Sequence, residues 1–178
     1  PFNSLNSLNL NRSILRKLII ASTSTIYGSR YLEYLLPTLT SFFEGVATFM
    51  YAHSDEEREH MLKLVKFINE RGGHAKVSQL DAPPAEFGSF KEMFESLFQH
   101  EVKVSKSIND LVDITLQEKD YATHNFLQWY VSEQIEEEAL ARNILDKIKL
   151  IGDDKGGLYL FDNDVKSLIG AEPGSELN

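Results

Sequence analysis

The sequence predicts an all-α fold: a four-helix bundle with a long crossover between its second and third helices and a short C-terminal fifth helix. Three observations carry this. Apolar residues recur at spacings of three and four through three long segments, the period of a helix face. Two of those segments are joined by about 16 residues, long enough to span a helix length, so they should run parallel. The next two are joined only by Glu118-Lys119-Asp120, so they should be antiparallel neighbours.

The chain has 178 residues, enough to bury a full core as one domain spanning 1–178. It has no cysteine, which excludes disulfides, thiolate zinc sites and a thiol nucleophile. The net charge of −9 argues against nucleic acid or an anionic membrane as partner and suits a protein that attracts cations. No run of 18 apolar residues marks a membrane span, and residues 1–11 lack the order of a secretory signal. A cytoplasmic location is the expectation.

Taken in order, segment one (about 8–36) is apolar enough for a helix, although Ser22-Thr23-Ser24-Thr25 is a poor helix former and Pro37 should end or kink it. Segment two (about 44–71) is the strongest helix, with the stripe Val46, Met50, His53, Glu57, Met61, Leu64 and Ile68. Gly72-Gly73 should stop it. Segment three (about 90–117) opens with the capping box Ser89-Phe90-Lys91-Glu92 and carries Phe90, Phe94, Leu97, Glu101, Val104, Ile108, Leu111 and Thr115. Segment four (about 121–150) carries Phe126, Tyr130, Glu133, Glu137, Leu140, Ile144, Ile148 and Ile151. The bundle thus covers about 8–151, and Leu158 to Leu168 forms the short fifth helix.

Acids stand in three stripes where hydrophobes belong: Glu57 with His60, Glu101, and Glu133 with Glu137. A single such residue is as easily a solvated one, because charged side chains are almost never fully buried unless paired. All three together point elsewhere. Each lies about 20 Å along a helix of about 40 Å, so the three should meet in one layer whichever way the helices run. Burying ionised carboxylates costs several kcal/mol unless something compensates them. A pair of metal ions does so, and Glu57-x-x-His60 has a helical metal-ligand spacing. His53 reads as a core or interface histidine, His100 as superficial, Trp129 as packing, and Tyr31 and Tyr130 as core aromatics.

The run Glu44 to His60 (EGVATFMYAHSDEEREH) resembles the second helix of bacterial non-haem ferritins. Phe126 to Glu138 (FLQWYVSEQIEEE) and Gly156 to Tyr159 (GGLY) resemble their fourth helix and the approach to the fifth. The likeness covers about 44–165. It implies a homo-oligomeric shell of 24 subunits that stores ferric mineral, with a ferroxidase centre in each bundle using O₂ or peroxide. Carried over by residue, Glu57 bridges two irons and His60 binds the first. Glu101 and Glu137 bind the second, with Gln134 nearby, while Glu56, Glu133 and Glu136 match a third iron site. A tyrosine beside an oxidising metal pair, here Tyr31, could donate an electron.

Haem is not expected, since Arg58 stands where the haem-binding Met of bacterioferritins would fall. The second Glu-x-x-His of bacterioferritins and rubrerythrins is also missing, because Gln134, Ile135, Glu136 and Glu137 occupy its place.

One departure concerns the first segment. The family supplies an acid there, seven residues before a Tyr; counted from Tyr31, that position is Ser24, and residues 1–32 hold no acid. Residues 1–43 carry four basic residues against Glu33, a net of +3, whereas residues 44–178 carry −12. Either the ligand is lost and iron is oxidised poorly, or the sequence of residues about 19–43 is out of register with the true chain. The charge change, the Ser/Thr run and Pro37 favour the second. Two further functions stay open from the residues alone: a di-iron oxidoreductase acting on an organic substrate, and a cage that holds iron without oxidising it.

Overall fold

The computed structural model describes residues 43–75 and 89–168. The expected first segment, with Ser24, Tyr31 and Pro37, most of the crossover and the C-terminal tail lie outside the described residues. Among the described residues are four α-helices and no strand: α1 (Glu44–Glu70), α2 (Phe90–Gln117), α3 (Tyr121–Ile151) and α4 (Lys155–Val165), with a 3-10 turn at Lys166–Leu168. The first three match the expected second, third and fourth segments. None is long and apolar enough to cross a membrane.

The helix ends follow from local chemistry. Ser89 Oγ accepts the Glu92 N–H at 3.2 Å and starts α2. Gly72, at φ +77°, ends α1 by taking a left-handed conformation, and the Gly73 N–H returns to the Ile68 carbonyl at 2.9 Å. In the α2–α3 turn Lys119 takes φ 57° without being glycine, which costs about 1 kcal/mol. Asp120 then restarts the helix at once, accepting the Thr123 N–H at 3.1 Å. The short helix expected at 158–168 begins earlier, at Lys155, because Asp154 caps it by accepting the Gly157 N–H at 2.6 Å.

The start of α1 has no cap of its own. Asp162 of α4 supplies one from across the fold: its Oδ1 accepts the Val46 N–H at 2.8 Å. The approach is so close that a Cβ on Gly45 would lie 1.6 Å from the Asp162 carbonyl oxygen. Only glycine permits that contact.

Among the described residues, two apolar clusters hold the helices. One joins Val46 and Met50 of α1, Phe94 of α2, Ile144 of α3 and Phe161 of α4. The other joins Leu64 and Ile68, Ile108 and Leu111, and Leu127. The early parts of α1 and α2 thus meet the late part of α3, so α1 and α2 run parallel and α3 antiparallel. The α2 and α3 backbones pack closely, whereas no described Cα of α1 comes within 8 Å of either. Long side chains fill that wider gap, and between the two clusters they are polar.

The buried stripe of α3 differs from expectation at three positions, each by one residue. Leu127, Gln134 and Ala141 are buried, while Phe126, Glu133 and Leu140 are half-buried. Both sets obey the same period. The choice between them depends on where α2 approaches, which no pattern within α3 contains.

Candidate metal centre

Three helices aim polar side chains into the gap. Glu57 and His60 come from α1, Glu101 from α2, and Gln134 and Glu137 from α3. All five are buried, Glu101 at 2 % exposure and Glu57 at 4 %. His60 was expected on this face by its spacing from Glu57, and it displaces the half-buried Met61 from the stripe.

Among the described residues the ligand atoms form two groups, in each of which they lie within 4.8 Å of one another. The inner group is His53, Glu57 and Glu137, all buried. The outer is Glu56, His60 and Glu133, which opens towards solvent through the exposed Glu56. Glu57 and His60 link the two, with Glu57 Oε1 3.8 Å from His60 Nδ1. On its other side His60 Nε2 faces Glu133 Oε1 at 3.5 Å. Carboxylate oxygens and imidazole nitrogens at these separations suit divalent and trivalent iron as well as zinc or manganese.

Glu101 stands beside the inner group. Gln134 Nε2 donates to its Oε2 at 3.2 Å and to its main-chain oxygen at 3.3 Å. The same amide nitrogen reaches Ser105 Oγ at 3.4 Å, and Ser105 donates to Glu138. Tyr130 donates its hydroxyl to the His60 carbonyl at 2.7 Å and ties α3 to α1 just beside the site.

The charges are crowded. Burial pushes the Glu101 carboxyl up to about 8, the nearby charges of Glu57 and Glu137 add to it, and His53 and Gln134 relieve part of it. Burial, then Glu57 and Glu56, pushes Glu137 to about 8 as well. Glu133 is raised by burial first, then by Glu136 and Glu56, against the relief from His60 and Lys63. His60 is raised too: burial opposes its charge, but Glu57, Glu133 and Glu137 outweigh that. The layer therefore holds protons near neutral pH that an arriving cation would displace.

Of the site residues read from the sequence, Glu57, His60, Glu101, Gln134 and Glu137 are brought together, with Glu133 and Glu56 at the rim. Glu136 is exposed and reaches the site through its charge on Glu133. Tyr31 lies outside the described residues. His100 is not superficial as expected: it is half-buried, with its Nε2 out of water. Trp129 packs as expected, its ring edge-on to His60 at 5.1 Å between centroids and covered by the Lys63 ammonium. Sequence reasoning set His53 aside as packing. The spacing His53-x-x-x-Glu57, one helical turn, was the signal that it shares the site.

A family model described as a ferritin-like domain matches residues 15–151. A bacterial non-heme ferritin of Campylobacter jejuni is 48% identical over 125 residues, covering 70% of this chain and 75% of that one. A bacterial non-heme ferritin of Escherichia coli O157:H7 is 40% identical over 126 residues, covering 71% and 76%. Among solved structures, an open pore ferritin from the hyperthermophilic archaeon Archaeoglobus fulgidus matches with a TM-score of 0.85 at 37% identity, covering 88% of this chain and 98% of that one. A layer of buried carboxylates and imidazoles inside a helical bundle, set beside these likenesses, leads to one conclusion: the chain belongs to the ferritin family.

Proposed function

We propose that this ferritin, an iron-storage protein, takes up and oxidises Fe(II) at the buried carboxylate layer. Two Fe(II) ions bind around Glu57, one towards His60 and one towards Glu101 and Glu137. Each gives one electron to O₂, which with two protons leaves as hydrogen peroxide; peroxide as oxidant takes the same two electrons and two protons to leave as water. Glu133, Glu56 and Glu136 at the open rim form a third position through which an ion passes on its way to or from the pair. The carboxylates favour Fe(III), the harder cation, and so favour oxidation. The mineral collects inside a shell of 24 copies of the chain in the cytoplasm, each copy folding as one domain.

The observation that carries this reading is the burial of Glu57, Glu101 and Glu137 at one height with, among the described residues, only histidines and one amide beside them. No packing role needs three acids there. Stopped-flow oxidation of Fe(II) in air is the test. Oxidation faster than in buffer, and lost in Glu57→Ala, supports the reading; a rate equal to buffer overturns the oxidase role. Size-exclusion chromatography tests the shell: a closed assembly is expected, and a small oligomer favours a di-iron oxidoreductase instead. One sequence feature favours a second reading. Residues 1–32 hold no acid to complete the first iron position, and a protein lacking that ligand stores iron while oxidising it slowly.

A further inference from the structure

His53 is the residue that packing explains least. It is 5 % exposed and lies almost parallel to the Phe49 ring, with centroids 5.8 Å apart. Its Nε2 is buried and, among the described residues, has no hydrogen-bond partner. Its Nδ1 stands 3.7 Å from Glu137 Oε2, beyond hydrogen-bond reach. A buried imidazole kept for packing alone normally satisfies its polar atoms, and an unsatisfied one costs about 1–3 kcal/mol. A leucine or phenylalanine would fill the same space without that loss.

A cation held between His53 Nδ1 and Glu137 Oε2 accounts for their separation of 3.7 Å, which packing does not. Donor atoms each about 2.1 Å from one ion sit roughly 3–4 Å from each other. The His53–Glu137 distance is already in that range, and Glu57 completes a buried group of three. On α1 the order His53-x-x-x-Glu57-x-x-His60 puts one imidazole a turn before the shared carboxylate and another a turn after it. The site therefore has a nitrogen donor on each side of Glu57.

We infer that His53 is a metal ligand, holding the inner of the two cations together with Glu57 and Glu137. This rests on the carboxylate layer being the metal centre, as proposed above. An imidazole at that position makes it more than a hard-oxygen site. It raises affinity for Co(II), Ni(II) and Zn(II) relative to Mn(II), following the usual order for nitrogen-containing sites.

Co(II) is the probe, because its visible spectrum reports nitrogen ligation and it needs no oxidant. Wild type should bind Co(II) in two classes per chain. His53→Phe, which keeps a ring against Phe49, should lose the tighter class or weaken it at least tenfold. His53→Ala should do the same, with melting curves confirming that both variants fold. Anomalous scattering from cobalt-soaked wild-type crystals should place an ion about 2.1 Å from a His53 nitrogen, a result independent of any variant's folding. Unchanged stoichiometry and affinity in His53→Phe, with the ion remote from His53, overturns the inference while Glu57→Ala still abolishes binding. Wild type that binds no Co(II) overturns the metal centre itself.

Discussion

Two buried regions of this protein each hide acids, and they do so for opposite reasons. At the apolar end, Asp162 is 8 % exposed among hydrophobic side chains. It has a dedicated partner, the Val46 N–H at the positive end of α1. In the middle layer Glu57, Glu101 and Glu137 are at least as buried but, among the described residues, have only each other, two histidines and one amide. A buried acid with its partner in the fold locks two elements together. Buried acids without enough partners mark where a cation from outside completes the structure.

Mutations can break this contrast. The largest effect is expected at Glu57, which belongs to the inner group and lies 3.8 Å from His60 of the outer one. Glu57→Ala should weaken Co(II) or anaerobic Fe(II) binding at least a hundredfold by calorimetry, with folding intact. The next is Gly45→Ala at the apolar end. The new methyl would overlap the Asp162 carbonyl oxygen, and the start of α1 or α4 must shift. About 3 kcal/mol of stability should be lost, read by denaturant unfolding, with the cation sites left in place.

Glu101→Gln sharpens the contrast because the two regions predict opposite signs. The metal-free folded chain holds the Glu101 proton up to about pH 8, whereas the unfolded chain releases it near 4.5. Above 4.5 the unfolded state gains from ionising and the folded state does not, so stability falls as pH rises from 4.5 to 8. Glu137 behaves the same way. Glu101→Gln removes its share. The variant should match wild type near pH 4.5 and melt higher by several degrees at pH 8 in the absence of metal, while binding Co(II) more weakly. A wild-type melting temperature that instead rises over that window would contradict the crowding of charge. The smallest effect is expected for Tyr130→Phe, which removes the hydrogen bond to the His60 carbonyl. It should lower stability by about 1 kcal/mol and leave the number of bound cations unchanged.

Much of this was legible in the residues. Helix ends at Ser89, Gly72 and Asp120 are set by side chains within a few positions of the break, so local pattern finds them. Glu57, His60 and Glu101 stand out because an acid in an apolar stripe contradicts the stripe. Gln134 and Glu133 were harder, since two phases of one period fit α3 equally well.

The sequence by itself determined the helical class, the parallel and antiparallel pairings, and the height at which the acids meet. Periodicity, loop length and 1.5 Å of rise per residue are properties of the chain alone. Tertiary structure decided which face of α3 turns inward, that Asp162 caps a helix 116 residues away, and that His53 joins Glu57 and Glu137. Those outcomes depend on distances between elements, and no spacing along one helix encodes how near another will come.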